Sequence, residues 1–140
     1  MIDSRHSGLP PPIIVSEPDA ERLESLLESD EWRAQPAARA LQSELLRAEV
    51  RPRENMPADV VGMHSLVECE DERSGGRHRL TLVYPNEADV ASGRVSVLAP
   101  VGSALLGLSV GQHIDWNTAD GHRLRLRVLA VQPPGAPGPE

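Results

Sequence analysis

Residues 95–116, VSVLAPVGSALLGLSVGQHIDW, are the densest apolar run in the chain and carry turn residues at set places within it. Val95 to Leu98 suits a buried strand, and Pro100 follows where the first turn of a helix tolerates a missing N–H. Ala104, Leu105 and Leu106 extend that helix. Gly107 stands where a left-handed cap ends it, a conformation that a side chain resists. Val110-Gly111 then turns the chain into a strand from His113 to Trp116. Strand, short helix, tight turn, strand: such a unit has few ways to fold, and the rest of the chain must be arranged around it.

Ahead of this unit the hydrophobic period changes once. Ser16-Glu17-Pro18-Asp19 has the form of a capping box, with Asp19 placed to reach back to the cap. Ala20, Leu23 and Leu27 recur at helical spacing with Leu26 beside them, and Asp30 ends the stripe. After a break at residues 29–35, Pro36 opens a second helix. Ala38, Leu41, Leu45 and Ala48 repeat the pattern there, and Leu46 widens it. Two matching seams on a short connector predict an antiparallel hairpin, its first helix about 14 residues and on the order of 20 Å long. Neither helix is stable alone at that length.

From Val60 the period is two. Val61, Met63, Ser65, Val67 and Cys69 alternate with polar residues as a half-buried strand, and residues 70–76 make a charged hairpin loop. His78 to Tyr84 returns with Leu80, Leu82 and Tyr84 on one face. Asp120-Gly121 marks a hairpin turn before a last strand, Arg123 to Val131. The expected organisation is a disordered arm (1–12), a helical hairpin (13–50), a connector (51–59), a sheet domain (60–132) and a disordered tail (133–140). The class is α+β, with a mostly antiparallel sheet of about four or five strands and one short helix.

A hydrophobic share of 39% supports a core, but an aliphatic one: Phe is absent, and Trp32, Trp116 and Tyr84 are the aromatic residues. All 14 basic residues are Arg, which with abundant Ala, Pro and Gly suggests a GC-rich bacterial genome. The net charge of −7 argues against direct nucleic-acid binding, which needs a cationic surface, and suits a basic protein partner. Cys69 stands alone, so no internal disulfide forms and a reducing compartment is expected. With no apolar leader and no run approaching a membrane span, the expected location is the cytoplasm, with no membrane partner.

SVLAPVGSALLGLSVG resembles the signature of the C-terminal domain of bacterial Gre-type transcript-cleavage factors. IIVSEPDAERLESLL, ENMPADVV and TLVYP precede it in the order seen in the family called regulators of nucleoside diphosphate kinase, and the resemblance spans residues 12–131. It implies a short N-terminal coiled-coil hairpin ahead of an FKBP-like antiparallel sheet domain with one short helix. It also implies a non-catalytic RNA polymerase-binding regulator near the secondary channel, with an influence on nucleoside diphosphate kinase levels. Direct contact with that kinase is left open by the sequence.

Two groups of residues are candidates for partner contact. Glu28, Asp30 and Glu31 beside Trp32 occupy the hairpin tip, where the resemblance places paired acids that help hold a catalytic Mg²⁺ in Gre-type factors. The hairpin here is about half the length such a probe needs, by helical rise, and Trp32 and Pro36 interrupt the Gre-type pattern. Arg123, Arg125 and Arg127 alternate with leucines, which puts all three on one face of the last strand, with Arg77 and Arg79 extending it if that strand is near. The histidines lack metal-site spacing, no phosphate loop is present, and Cys69 has the setting of a core filler. No catalytic set, metal or cofactor is expected. A Gre-like cleavage stimulator is the main rival, opposed by the short hairpin. A direct kinase binder and a prolyl isomerase follow, the last opposed by the shortage of aromatic residues for a proline pocket.

Overall fold

A computed structural model of the chain describes residues 12–117, 121 and 123–134. Most of the expected arm, most of the tail, His122 and most of the Asp-Gly hairpin turn lie outside these residues. Strand β1 (Ile14–Ser16) leads into helix α1 (Glu17–Glu28), which is followed by α2 (Pro36–Arg47) and β2 (Glu49–Arg51). Beyond the connector come β3 (Leu66–Asp71), β4 (Arg77–Val83), β5 (Arg94–Ser96), α3 (Pro100–Leu105), β6 (His113–Asn117) and β7 (Arg123–Gln132).

The helices form where the periodicity puts them. Ser16 caps α1, its hydroxyl oxygen accepting from the Asp19 N–H at 3.3 Å. The other half of the expected capping box is absent, because the Asp19 carboxylate faces away and accepts a hydrogen bond from the Met63 N–H. Pro36 opens α2. Ala20, Leu23 and Leu27 of α1 meet Ala38, Leu41 and Leu45 of α2 in one buried seam. Leu23 and Leu41 are fully buried, each contributing about 1.5–3 kcal/mol of apolar burial. Leu46, expected to widen that stripe, is 82% exposed: at one residue past Leu45 it has rotated off the seam. Each helix has 12 residues, slightly shorter than expected.

The hairpin has a feature that periodicity does not show. β1 and β2 pair in parallel, Ile14 with Glu49 through Ser16 with Arg51, and tie the two ends of the helical unit together. Three-residue strands of this kind are too short to carry an alternation.

The main sheet has the order β5-β4-β3-β7-β6. Its ladders are antiparallel except the edge pair β4 and β5, which is parallel, so the sheet is mixed at that edge. The expected long strand from Val61 to Cys69 is broken. Residues 62–65 form a turn in which the Gly62 N–H donates to Ser65 Oγ at 3.0 Å and the Ser65 N–H donates to the Gly62 carbonyl at 3.2 Å. Val61 instead exchanges backbone hydrogen bonds with residues 107 and 108. Burial nonetheless alternates without a break from Val61 to Asp71, which is why the period-two signal runs through the turn.

Residues 95–116 run from one edge strand of the sheet, through α3, to the other edge strand. Val95, Val97, Val101 and Leu105 join Leu82, Leu126 and Val128 in the core. Gly107 takes φ 82 after α3, as its position in the sequence predicts, and packs directly on Ile13. Gly102 lies inside α3 for a different reason: a Cβ there would overlap the Ser96 carbonyl oxygen. That close approach seats α3 against the sheet. Gly102→Ala should therefore cost about 1–3 kcal/mol, seen as a lowered urea midpoint with an unchanged m value. An unaltered midpoint would show that the contact relaxes without cost.

Candidate functional site

The outer face of the sheet carries the arginines singled out in the sequence. Alternation along β7 exposes Arg123, Arg125 and Arg127, while Leu126 is fully buried and Leu124 half-buried. The neighbouring strands decide what those arginines meet. β3 runs antiparallel beside β7 and brings Glu70 opposite Arg127, with Arg127 Nη2 and Glu70 Oε1 3.8 Å apart. Just past β3, Glu72 lies 3.1 Å from Arg125 Nε and 2.7 Å from His113 Nε2 of β6. Asp115 of β6 adds a contact of 3.8 Å to Arg125. On the other side of β3, Arg79 of β4 lies 3.5 Å from Glu68.

This face is a lattice of alternating charge. A column of acids on and just beyond β3 stands between arginines from β4 and β7, because pairing in register brings opposite charges together across strands. Arg77 and Arg79 do join the surface, one strand beyond the acids. Arg123 has no ion pair with a described residue, and it borders a groove of about 330 Å³ with Glu72, Arg73, Asp115 and Arg125. The exposed pairs contribute roughly 0–1 kcal/mol each to stability. Their consequence is orientation: two of the three arginines on the row are held in place by intramolecular acids.

The hairpin tip is different. Glu28, Asp30 and Glu31 are exposed, and Asp30 pairs loosely with Arg33 at 3.4 Å. Trp32 does not share that exposure; it is half-buried and packs back against the core. Among the described residues no three acid, histidine or cysteine side chains converge as a metal cage. Cys69 is fully buried, and burial pushes its thiol up to about 11, the setting of a core residue.

A third cluster lies where the hairpin meets the sheet domain, and sequence reasoning missed it. Asp19 and Arg22 of α1 face Met63, His64, Tyr84 and Glu87. Glu87 Oε1 accepts from the Tyr84 N–H at 3.1 Å and lies 2.8 Å from His64 Nε2. The His64 hydrogen bond is the main reason the Glu87 carboxyl is held below its usual range. The Tyr84 hydroxyl is buried without a hydrogen-bond partner among the described residues, and burial pushes its pKa up to about 12. No spacing signals such a cluster, since its members lie up to 68 residues apart (Asp19 to Glu87).

A helical hairpin set on a mixed five-stranded sheet is the arrangement to compare with known proteins. The family described as "Transcription elongation factor, GreA/GreB, C-term" matches residues 56–133, and "Rnk N-terminus" matches residues 11–50. The chain is 43% identical over 122 residues to the "Regulator of nucleoside diphosphate kinase" of Escherichia coli (strain K12), covering 87% of this chain and 90% of that one. It is 40% identical over 75 residues to the "Transcription inhibitor protein Gfh1" of Thermus thermophilus, covering 52% and 47%. A solved structure of a prokaryotic transcription elongation factor GreA/GreB from Nitrosomonas europaea superposes with a TM-score of 0.79 at 45% identity, covering 89% of this chain and 100% of that one. The chain belongs to the regulator of nucleoside diphosphate kinase family, a branch of the Gre-type factors. No helix among the described residues is long and apolar enough to cross a membrane.

The loop from β3 to β4 that borders the arginine groove is pinned by Asp71. Ser74 Oγ donates to Asp71 Oδ2 at 2.8 Å and the Arg73 N–H donates to Oδ1 at 3.2 Å. These bonds, the Ser74 one foremost, hold the Asp71 carboxyl below its ordinary value. A carboxyl depressed in the folded state stabilises above the unfolded-state value of about 4, and the contribution is lost as pH falls through the folded value. Asp71→Asn should therefore flatten the acid side of a melting-temperature profile taken from neutral pH downward. A variant profile parallel to that of the unaltered protein would show that these bonds carry no linkage.

Proposed function

We propose that this protein is a non-catalytic regulator that binds RNA polymerase near the rim of its secondary channel, with the sheet domain docking and the short hairpin entering partway. The observation that carries this reading is the length of the hairpin. Helices of 12 residues rise about 18 Å, on the order of 20 Å short of what the Gre-type resemblance requires of a tip that delivers acids to the polymerase active centre. The tip acids are solvated, and Trp32 folds back where a catalytic tip would project.

The names of the relatives support a role in transcription: one is called a transcription inhibitor and another an elongation factor. The name of the Escherichia coli relative supports an effect on nucleoside diphosphate kinase, which this reading routes through transcription. In this reading the charge lattice around Arg123, Arg125 and Arg127 forms part of the polymerase contact, and the protein acts in the cytoplasm.

The decisive experiment is competition on purified polymerase. The protein should displace a long-coil Gre factor from a backtracked complex, suppress the transcript cleavage that factor stimulates, and stimulate none itself. Asp30→Ala with Glu31→Ala should leave that suppression unchanged. Cleavage by this protein, lost in the double variant, would make it a Gre-like stimulator instead. Replacing Arg123, Arg125 and Arg127 by Ala together should weaken polymerase affinity about tenfold, or about 1.4 kcal/mol. Unchanged affinity would remove the arginine face from the interface.

A further inference from the structure

α1 and α2 pack on each other, α1 also on β1 and β2, and a shared aliphatic core joins this unit to the five-stranded sheet. Two directional contacts bridge that junction. Asp19 Oδ2 accepts from the Met63 backbone N–H at 3.1 Å, across 44 residues of sequence. Gly62 leaves room for this approach, since a Cβ there would stand 3.2 Å from the same oxygen. Three residues further along the same face of α1, the Arg22 guanidinium lies over the Tyr84 ring, 4.4 Å from its centre.

The receiving side is itself braced. Tyr84 is 5% exposed, its N–H is held by Glu87, and His64 meets its ring edge-on with centroids 5.5 Å apart. His64 stands at φ 66, a left-handed position uncommon for a residue with a side chain, which directs its ring to Glu87 and Tyr84.

We infer that Asp19 and Arg22 are positioning residues: they set the angle at which the hairpin leaves the sheet domain, so that its tip is aimed and not merely tethered. Apolar contact is non-directional and tolerates sliding, whereas a carboxylate on a fixed backbone amide and a cation over a ring face do not. The functional half of this inference rests on the polymerase-binding reading above; the geometric half stands without it.

Spin labels on Asp30→Cys at the exposed tip and Ala130→Cys on β7 report the angle in the free protein. Cys69 stays unlabelled because it is buried with a raised pKa. The parent should give one narrow distance distribution. Asp19→Ala combined with Arg22→Ala should broaden it while circular dichroism shows the helices retained. Asp19→Asn alone should keep it narrow, because an amide oxygen still accepts from Met63. A distribution equally narrow in the double variant, or as broad with Asn as with Ala at position 19, overturns the inference. On polymerase, the double variant should bind about tenfold more weakly, since the hairpin must then be ordered on binding, and Asp19→Asn should match the parent. Full affinity with a broadened distribution overturns the positioning role. If the parent fails to bind polymerase, the functional reading falls, and the distance measurement still decides whether the clasp sets the angle.

Discussion

At Gly102 the backbone of α3 comes so near the Ser96 carbonyl that no methyl group fits between them, and a few residues later Gly107 admits Ile13 in the same way. These two close approaches, one to a backbone carbonyl and one to the Ile13 side chain, define how the parts of the molecule stack. The first sets α3 against β5 and the Leu82 side chain; the second sets the entry to β1 against the end of α3. Val61 then binds the stretch just after α3 through its own backbone groups. The helical hairpin, the short helix and the sheet meet at one point, and a single aliphatic core runs through all three. Close packing of this kind leaves no slack for a larger side chain, which is why glycine occupies both positions.

The sheet face shows how one physical rule converts a simple sequence pattern into a more complicated surface. Three alternating arginines on β7 look like a cationic stripe when the strand is read alone. Pairing with β3 and β6 brings Glu70, Glu72 and Asp115 beside them, and Arg79 on β4 takes Glu68. A chain with net charge −7 has acids in excess of arginines, and the register sets them beside Arg79, Arg125 and Arg127. The face is therefore a set of oriented, alternating charges and not a bulk cationic stripe.

What could be read from the sequence follows the range of the signals. Local signals were reliable: Pro36 and Pro100 at helix starts, Gly107 at the α3 cap, and the seams of Leu23, Leu27, Leu41 and Leu45 all occupy their expected places. Burial alternation was also real from Val61 onward, but alternation reports which side chains face inward and not whether the backbone between them is regular. The turn at Gly62–Ser65 therefore leaves no mark on the alternation, and Leu46, adjacent to the seam residue Leu45, lies off that seam. Asp19 illustrates the main loss. A local motif, the capping box, explained its presence well enough that its partner 44 residues away had no trace in the sequence. The parallel pairing of β1 with β2 and of β4 with β5 was lost for the same reason, since short strands carry no periodic signature.

The scarcity of aromatic residues gives the hairpin its two fixed points. Without Phe, the core is filled by leucine, valine and alanine, which interlock by volume and leave direction to be set elsewhere. Two of the aromatic residues touch the hairpin at separate places. Trp32, in the turn after α1, packs against the core, and Tyr84 receives Arg22 at the middle of that helix. A helix of 12 residues has too few turns to hold its direction by seam packing alone. Holding α1 at its middle by a cation over a ring, and the turn after it by Trp32, achieves with two contacts what a longer coil achieves by repetition, in a form whose reach is limited by the same shortness.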